Sequence, residues 1–247
     1  AWAEVARRLA HEIKNPLTPI QLATERIRHK YLKQFDAEQG RVLDRGTHTI
    51  IQQVQAMKEM VDAFNEYARP PRLRLEPVEL NEFVSEVLYL YRDYPAGVEI
   101  KLDLAHEPLP INADKGRLRQ LLHNLVKNSI EAIGDGHGST LWIGSAREHV
   151  TGADCAQLSL RDDGPGFPDN ILNSAFEPYV TTKPKGTGLG LAIVKKIVEE
   201  HGGWIQLESP ADGGARIVVR LPLRGAAGSP VPSTGPAVPL NADKEAG

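Results

Sequence analysis

The strongest constraint on this chain lies in residues 43–68. There Leu43, Thr47, Ile50, Val54, Met57, Val61, Phe64 and Ala68 recur at alternating spacings of four and three. That is the heptad seam of a coiled-coil helix. Upstream, Val5, Leu9, Ile13, Leu17, Ile20, Ile27 and Tyr31 recur at spacings of three or four, with one of seven, and define a first helix with one apolar side. The polar residues 33–41 break the pattern and predict a turn. Arg69-Pro70-Pro71 ends the second helix, because proline cannot continue it and restricts the residue before it. Two such helices make an antiparallel hairpin. One hairpin cannot bury its own stripe, so the pattern predicts dimerisation into a four-helix bundle.

Beyond residue 71 the texture changes. Short β-like runs (98–104, 141–146, 157–161, 204–208, 215–221) alternate with helical ones (80–91, 115–133, 189–201). This predicts an α/β domain with its own core, and the whole chain is α+β. The boundaries read as 1–70 for the hairpin, 71–224 for the α/β domain, and 225–247 for a disordered tail rich in Gly, Pro and Ala. The 247 residues carry 29 basic and 32 acidic side chains, a net charge of −3, which argues against nucleic-acid binding. A single cysteine, Cys155, excludes a disulfide framework and fits a reducing compartment. No run approaches the ~18 apolar residues of a membrane span. The chain opens at Ala1 already inside a helical pattern, so it reads as a cytoplasmic fragment of a longer protein.

Two sets of residues carry chemistry. On a helical wheel His11 and Asn15 fall opposite the apolar stripe of the first helix, which faces His11 outward. Imidazole is a competent nucleophile near neutral pH, and the neighbouring Glu12 is a carboxylate able to take its other proton. A lone exposed histidine is more often an ordinary surface residue. Pro16 and Pro19 within the helix free the carbonyls of Glu12 and Asn15, which predicts a bend beside His11.

The second set is spread over four segments. Asp114 predicts an N-cap for a helix whose core band is Leu118, Leu121, Leu122, Leu125 and Ile133. On another face stand Asn124, Asn128 and Glu131, and Asn oxygens suit Mg2+ shared with phosphates. Asp162-Asp163-Gly164-Pro165-Gly166-Phe167 ends a β-like run with a carboxylate able to accept from an exocyclic amine, and Gly164 and Gly166 admit a ring close to the backbone. Phe176-Glu177-Pro178-Tyr179 precedes Lys183 and Gly186-Thr187-Gly188-Leu189-Gly190-Leu191, where glycines open a helix and offer N–H groups to phosphate. Residues 166–187 lack a regular pattern and read as a functional loop or lid. Each segment alone also reads as a polar helix face or a plain turn. The glycine spacing is neither a P-loop nor a Rossmann fingerprint, and the His-Arg-Asp and Asp-Phe-Gly elements of serine/threonine/tyrosine protein kinases are missing.

In order and spacing, these segments resemble the transmitter module of two-component sensor histidine kinases. Residues 11–17 resemble the H box, 124–132 the N box, 162–167 the first glycine box, 176–179 the F box and 186–191 the second glycine box. Residues 1–8 and 17–22 are similar to those of NtrY-type nitrogen-regulation sensor kinases, and Ser129 stands where alanine is commoner. The resemblance implies a dimeric phosphotransfer hairpin followed by an ATP-binding α/β sandwich of the histidine kinase, Hsp90, gyrase and MutL type. It implies that His11 attacks the γ-phosphate of ATP, with Glu12 as general base and Asn15 positioning phosphohistidine chemistry or a hydrolytic water. It further implies that Asn128 holds Mg2+, that Asn124 lies near the phosphates and that Asp162 reads the adenine amine. Lys127, Gly164, Gly166, Lys183, Gly186, Thr187, Gly188, Leu189 and Gly190 would shape the nucleotide pocket. The expected partners are a second copy and a response-regulator receiver domain of the NtrX type, with the parent protein in the inner membrane. Two rivals stand beside this reading: an Hsp90- or MutL-like ATPase, and a dimeric scaffold with a vestigial ATP site. A phosphatase-dominated version keeps the same fold. His29, His48, His106, His123, His137, His149 and His201 show no metal-ligand spacing, and Cys155, Trp2, Trp142 and Trp204 read as packing residues.

Overall fold

Helix α1 (Trp2–Tyr31) runs without interruption through Pro16 and Pro19. In this computed structural model the described residues are 2–68, 73–91, 97–134, 138–150, 152–172, 174–183, 186–210 and 212–225, with the backbone alone at 2–7, 66, 67 and 169. The bend expected at the prolines therefore does not break the helix. A single 3-10 turn (Leu32–Gln34) leads to α2 (Ala37–Ala68). This helix begins inside the stretch expected as turn. The reason is Asp36, whose Oδ1 accepts the N–H groups of Glu38 and Gln39 at 3.0 and 2.9 Å and so caps the helix early.

The hairpin uses two seams. Ala10, Leu17 and Thr24 of α1 are buried, as are Thr47, Val54 and Val61 of α2, each set spaced by sevens. Arg28 reaches Asp44 at 2.7 Å, Lys58 donates to Gln21 at 2.6 Å, and Lys14 pairs with Asp62. These half-exposed pairs are worth at most about 1 kcal/mol each, so they set register more than stability. The sequence places Leu9, Ile13, Leu17, Ile20 and Ile27 on one apolar side. The structure divides them: Leu17 is inside, whereas Leu9, Ile13, Ile20 and Ile27 are 41–47% exposed, like Ile50 and Met57 on α2. The hairpin thus closes on one heptad set and leaves a second apolar set uncovered.

The rest of the chain is a sheet layered on helices. Its elements are β1 (Glu76–Glu79), α3 (Leu80–Tyr89), β2 (Glu99–Asp103), β3 (Pro110–Ala113), α4 (Lys115–Gly134), β4 (Thr140–Val150) and β5 (Ala153–Asp162). They continue with α5 (Asp169–Leu172), α6 (Gly190–Glu200), β6 (Trp204–Glu208) and β7 (Ala215–Pro222). The main sheet has the order β2-β4-β5-β7-β6, with β2 and β4 parallel and the other pairs antiparallel. Leu141, Ile143, Leu158, Leu160, Ile217 and Val219 alternate onto one face and join the buried side chains of α3, α4 and α6 in a single core. The short sheet of β1 and β3, and helix α5, are not foreseen from the sequence.

Trp142 and Trp204 lie on the opposite face. Arg161 Cζ sits 5.4 Å from the Trp142 ring centre, and Arg220 Cζ 5.7 Å from that of Trp204. The two rings pack under cations rather than in the core. Ala63 and Phe64 of α2 pack on the α/β core, and α2 meets α6, which joins the two halves. Among the described residues no helix is long and apolar enough to cross a membrane. The expected tail lies outside the described residues from 226 onward, as does the whole of 69–72.

Asp114 is the N-cap foreseen for α4. Its Oδ1 accepts from Gly116 and Arg117 at 3.0 and 3.1 Å, and its Oδ2 from Arg74 at 3.0 Å. His201 bonds the Ile197 carbonyl through Nδ1 at 2.7 Å and accepts the Asp114 N–H at Nε2 at 3.0 Å, fastening the end of α6 to the start of α4. Burial disfavours the Asp114 carboxylate, but the backbone donors of Arg74, Arg117 and Gly116, with His201 nearby, hold its pKa below the usual range. A lowered native pKa stabilises the fold above the ordinary carboxylate pKa, and that stability is lost as pH falls through the lowered value. Asp114→Ala is therefore expected to cost about 1–2 kcal/mol at neutral pH, and denaturant unfolding at stepped pH should show the deficit shrinking in acid.

Candidate functional site

The α/β half gathers the four segments around the outer end of α4. Asp162, the last residue of β5, is 4% exposed. Its Oδ1 accepts the N–H of Gly164 at 3.1 Å and of Ala215 at 3.3 Å, and the Ser129 hydroxyl of α4 also bonds its carboxyl group. Burial pushes the Asp162 carboxyl above the usual range, the Gly164, Ser129 and Ala215 donors counter it, and the charge of Asp163 adds to the rise. The result is a rigid acceptor at a strand end, held from three directions. Asp163 has a different task. Its Oδ1 accepts from Ser139 and Thr140 at 2.9 Å each and anchors the start of β4.

Gly214 makes the Asp162 site possible, and the sequence motifs do not include it. With φ +81° its backbone passes so close to the Asp162 carbonyl that a Cβ would lie 1.9 Å from that oxygen. The available signal is the Gly213-Gly214 pair just before a β-like run. In the sequence Ser129 stands out only as a departure from alanine, whereas its hydroxyl fixes Asp162 to α4.

The other end of the candidate site is built from α4 and the start of α6. A Cβ on Gly190 would lie 3.4 Å from the Asn128 amide, so the first turn of α6 is seated on Asn128. Asn124 Nδ2 is buried and has no hydrogen-bond partner among the described residues. A buried donor left open in this way fits an anionic oxygen delivered by a ligand. Lys183 reaches back to α4, with Nζ 2.7 Å from Glu131 Oε2 and 3.3 Å from the Asn128 carbonyl. Lys127 lies 3.8 Å from the other Glu131 oxygen. Leu189 is fully buried beneath the turn, and its N–H donates to Thr187 Oγ1 at 3.4 Å. The Gly186 N–H donates to the Lys183 carbonyl at 3.0 Å, closing a turn within the loop. Gly164 backs onto Ala132 of α4, and Gly166 onto Gly214. Asn124, Asn128, Asp162, Gly164, Gly166, Lys183, Gly186, Thr187, Gly188, Leu189 and Gly190 thus share one region. These donors and acceptors fit a nucleotide: a fixed acceptor at one end, and an open amide donor with a helix N-terminus at the other.

His11, Glu12 and Asn15 form a separate exposed face on α1, and no described contact of the four-segment site involves them. Glu12 does not orient His11 in this state. Its carboxylate is held by Arg8, with Nε 2.9 Å from Oε1, one helical turn back.

The fold and the site together define a helical phosphoacceptor hairpin joined to an ATPase-type α/β sandwich. Residues 1–72 match the family model of the His Kinase A (phospho-acceptor) domain, and 113–225 that of the histidine kinase-, DNA gyrase B- and HSP90-like ATPases. The catalytic domain of the histidine kinase ThkA is 32% identical, with a TM-score of 0.51 over 61% of this chain and 96% of that structure. The chain belongs to the sensor histidine kinase family. Within it, the nitrogen regulation protein NtrY of Azorhizobium caulinodans is 40% identical over 93% of this chain and 30% of its own length. The sensor histidine kinase ZraS of Escherichia coli K12 is 36% identical over 90% of this chain and 46% of its own. The chain therefore spans less than half the length of these curated relatives. Full-length ShkA, solved in complex with AMPPNP, shares the fold across 94% of this chain and 48% of its own at 24% identity and a TM-score of 0.68.

A raised native pKa for Asp162 stabilises the fold below the ordinary carboxylate pKa, and that contribution is lost as pH rises through the raised value. Asp162→Asn keeps a carbonyl oxygen for Gly164 and Ala215 but cannot ionise. It should unfold without this pH-dependent loss, and native and variant denaturation curves compared at stepped pH from acid to neutral test it.

Proposed function

We propose that this chain is an ATP-dependent protein-histidine kinase module that phosphorylates His11 and passes the phosphoryl group to an aspartate of a response-regulator receiver domain. The observation that carries the proposal is the convergence of Asn124, Asn128, Asp162 and the glycine turn on one region of α4, in a chain whose hairpin presents an exposed histidine. An Hsp90- or MutL-like ATPase accounts for the first feature and leaves His11 unused.

In this reading Asp162 accepts the adenine amine, the N–H groups opening α6 and the Asn124 amide meet the phosphates, and Lys127 and Lys183 add positive charge. Asn128 would hold Mg2+, which supplies charge neutralisation at the transferring phosphate. A His11 ring nitrogen attacks the γ-phosphorus, the bond to the β-phosphate oxygen breaks, and ADP leaves. Glu12, released from Arg8, takes the imidazole proton. Asn15, one turn on, positions the phosphohistidine or the water that hydrolyses the partner's phosphoaspartate to release inorganic phosphate. The hairpin at 1–70 acts as the acceptor and the unit at 71–224 as the donor. Likeness to NtrY supports a receiver partner of the NtrX type and a parent protein anchored in the inner membrane.

Incubation with γ-labelled ATP and Mg2+ tests the reading. Acid-labile, alkali-stable label is expected on the native chain and not on His11→Gln, whereas label persisting on His11→Gln would remove His11 as the acceptor. ATP bound and hydrolysed without label would favour the clamp-type ATPase.

The uncovered apolar set supports a homodimer completing a four-helix bundle. Ile20→Glu, which places a charge in that set, is expected to convert a dimer to a monomer in sedimentation velocity while leaving helix content intact by circular dichroism.

A further inference from the structure

Tyr179 is the one non-glycine residue with positive φ among the described residues, at +70°. A bulky side chain rarely adopts this left-handed backbone, so something must hold it there. The side chain does not account for it, because Tyr179 is 61% exposed. The backbone does. The Tyr179 N–H donates to the Gly188 carbonyl at 2.9 Å. Gly188 is itself left-handed, at φ +66°, and a Cβ there would lie 2.5 Å from the Tyr179 carbonyl carbon and 2.8 Å from the Val180 nitrogen. The two turns are pressed backbone to backbone, and neither has room to slide.

The two residues after Gly188 give the contact its use. Leu189 is fully buried and plugs the core, and Gly190 begins α6 against the Asn128 amide. The turn holding Tyr179 is therefore a rest for Gly188, two residues before the glycine that begins α6 against Asn128. We infer that Tyr179 is a positioning residue for the nucleotide site, acting through its left-handed backbone and not through its ring. The inference rests on the nucleotide reading given above.

Three substitutions separate backbone from ring. Tyr179→Gly adopts the left-handed conformation freely, Tyr179→Asn tolerates it, and Tyr179→Val, being β-branched, opposes it. The full chain is titrated with a fluorescent ATP analogue and Mg2+, and KM for ATP and kcat of labelling are read separately. Gly and Asn variants are expected within about threefold of the native affinity, and Val weaker by about tenfold, with the loss in KM rather than kcat and an unchanged circular dichroism spectrum. Native-like binding by Tyr179→Val would overturn the inference, as would a Gly variant as weak as the Val variant, which would make the ring the working part. A Val variant that unfolds also overturns it, since the contact then holds the fold rather than the site. Failure of the native chain to bind the analogue is a distinct result, striking the nucleotide reading and this role together.

Discussion

The α/β half depends on one buried carboxyl group. Asp162 sits where four elements meet, held by the hydroxyl of Ser129 on α4, by the N–H of Gly164 in the following turn, and by Ala215 at the start of β7. A buried polar group is tolerated only when its hydrogen-bonding capacity is met. The same donors that make Asp162 tolerable also fix it in space. The placing of this acceptor and the architecture around it therefore share a single set of bonds. Few substitutions at Ser129, Gly164 or Gly214 can be neutral, because each changes both at once.

The hairpin obeys a different constraint. Its buried set of Ala10, Leu17, Thr24, Thr47, Val54 and Val61 is small and partly polar, while larger side chains such as Ile13, Ile20 and Met57 stay outside. Apolar burial stabilises by about 25 cal/mol per Å2, so the larger side chains hold most of the stabilisation still available to the hairpin. The three interhelical polar pairs supply alignment and little energy. Exposed imidazole chemistry and an exposed apolar set thus coexist on α1 at different angular positions.

Much of this is legible in the sequence because it is periodic. The heptads of α2, the core band of α4 and the alternation of β4, β5 and β7 predict elements that the structure reproduces within a few residues. Asp114 is readable as a cap because an aspartate before a helical band is a local signal. The features that the sequence hides are nonlocal or backbone-borne. Gly214 matters only because it lies across from Asp162, more than fifty positions earlier in the chain. Tyr179 matters through a dihedral angle that its identity as a tyrosine hides. The division of the α1 stripe into inner and outer sets depends on where α2 lies, which the stripe alone does not say. Glu12 pairing with Arg8, rather than attending His11, depends on a choice between neighbours that spacing leaves open.

The position of β7 has a consequence for the order of synthesis. Among the described residues it is the last strand, yet it lies inside the sheet between β5 and β6, and β6 pairs with no other described strand. The contacts between α1 and α2 are all available once residue 68 has been made. Asp162 has one of its holding N–H groups on Ala215, and the sheet is incomplete until Pro222 has left the ribosome. The hairpin that carries His11 is therefore folded well before the sheet that holds Asp162 is finished.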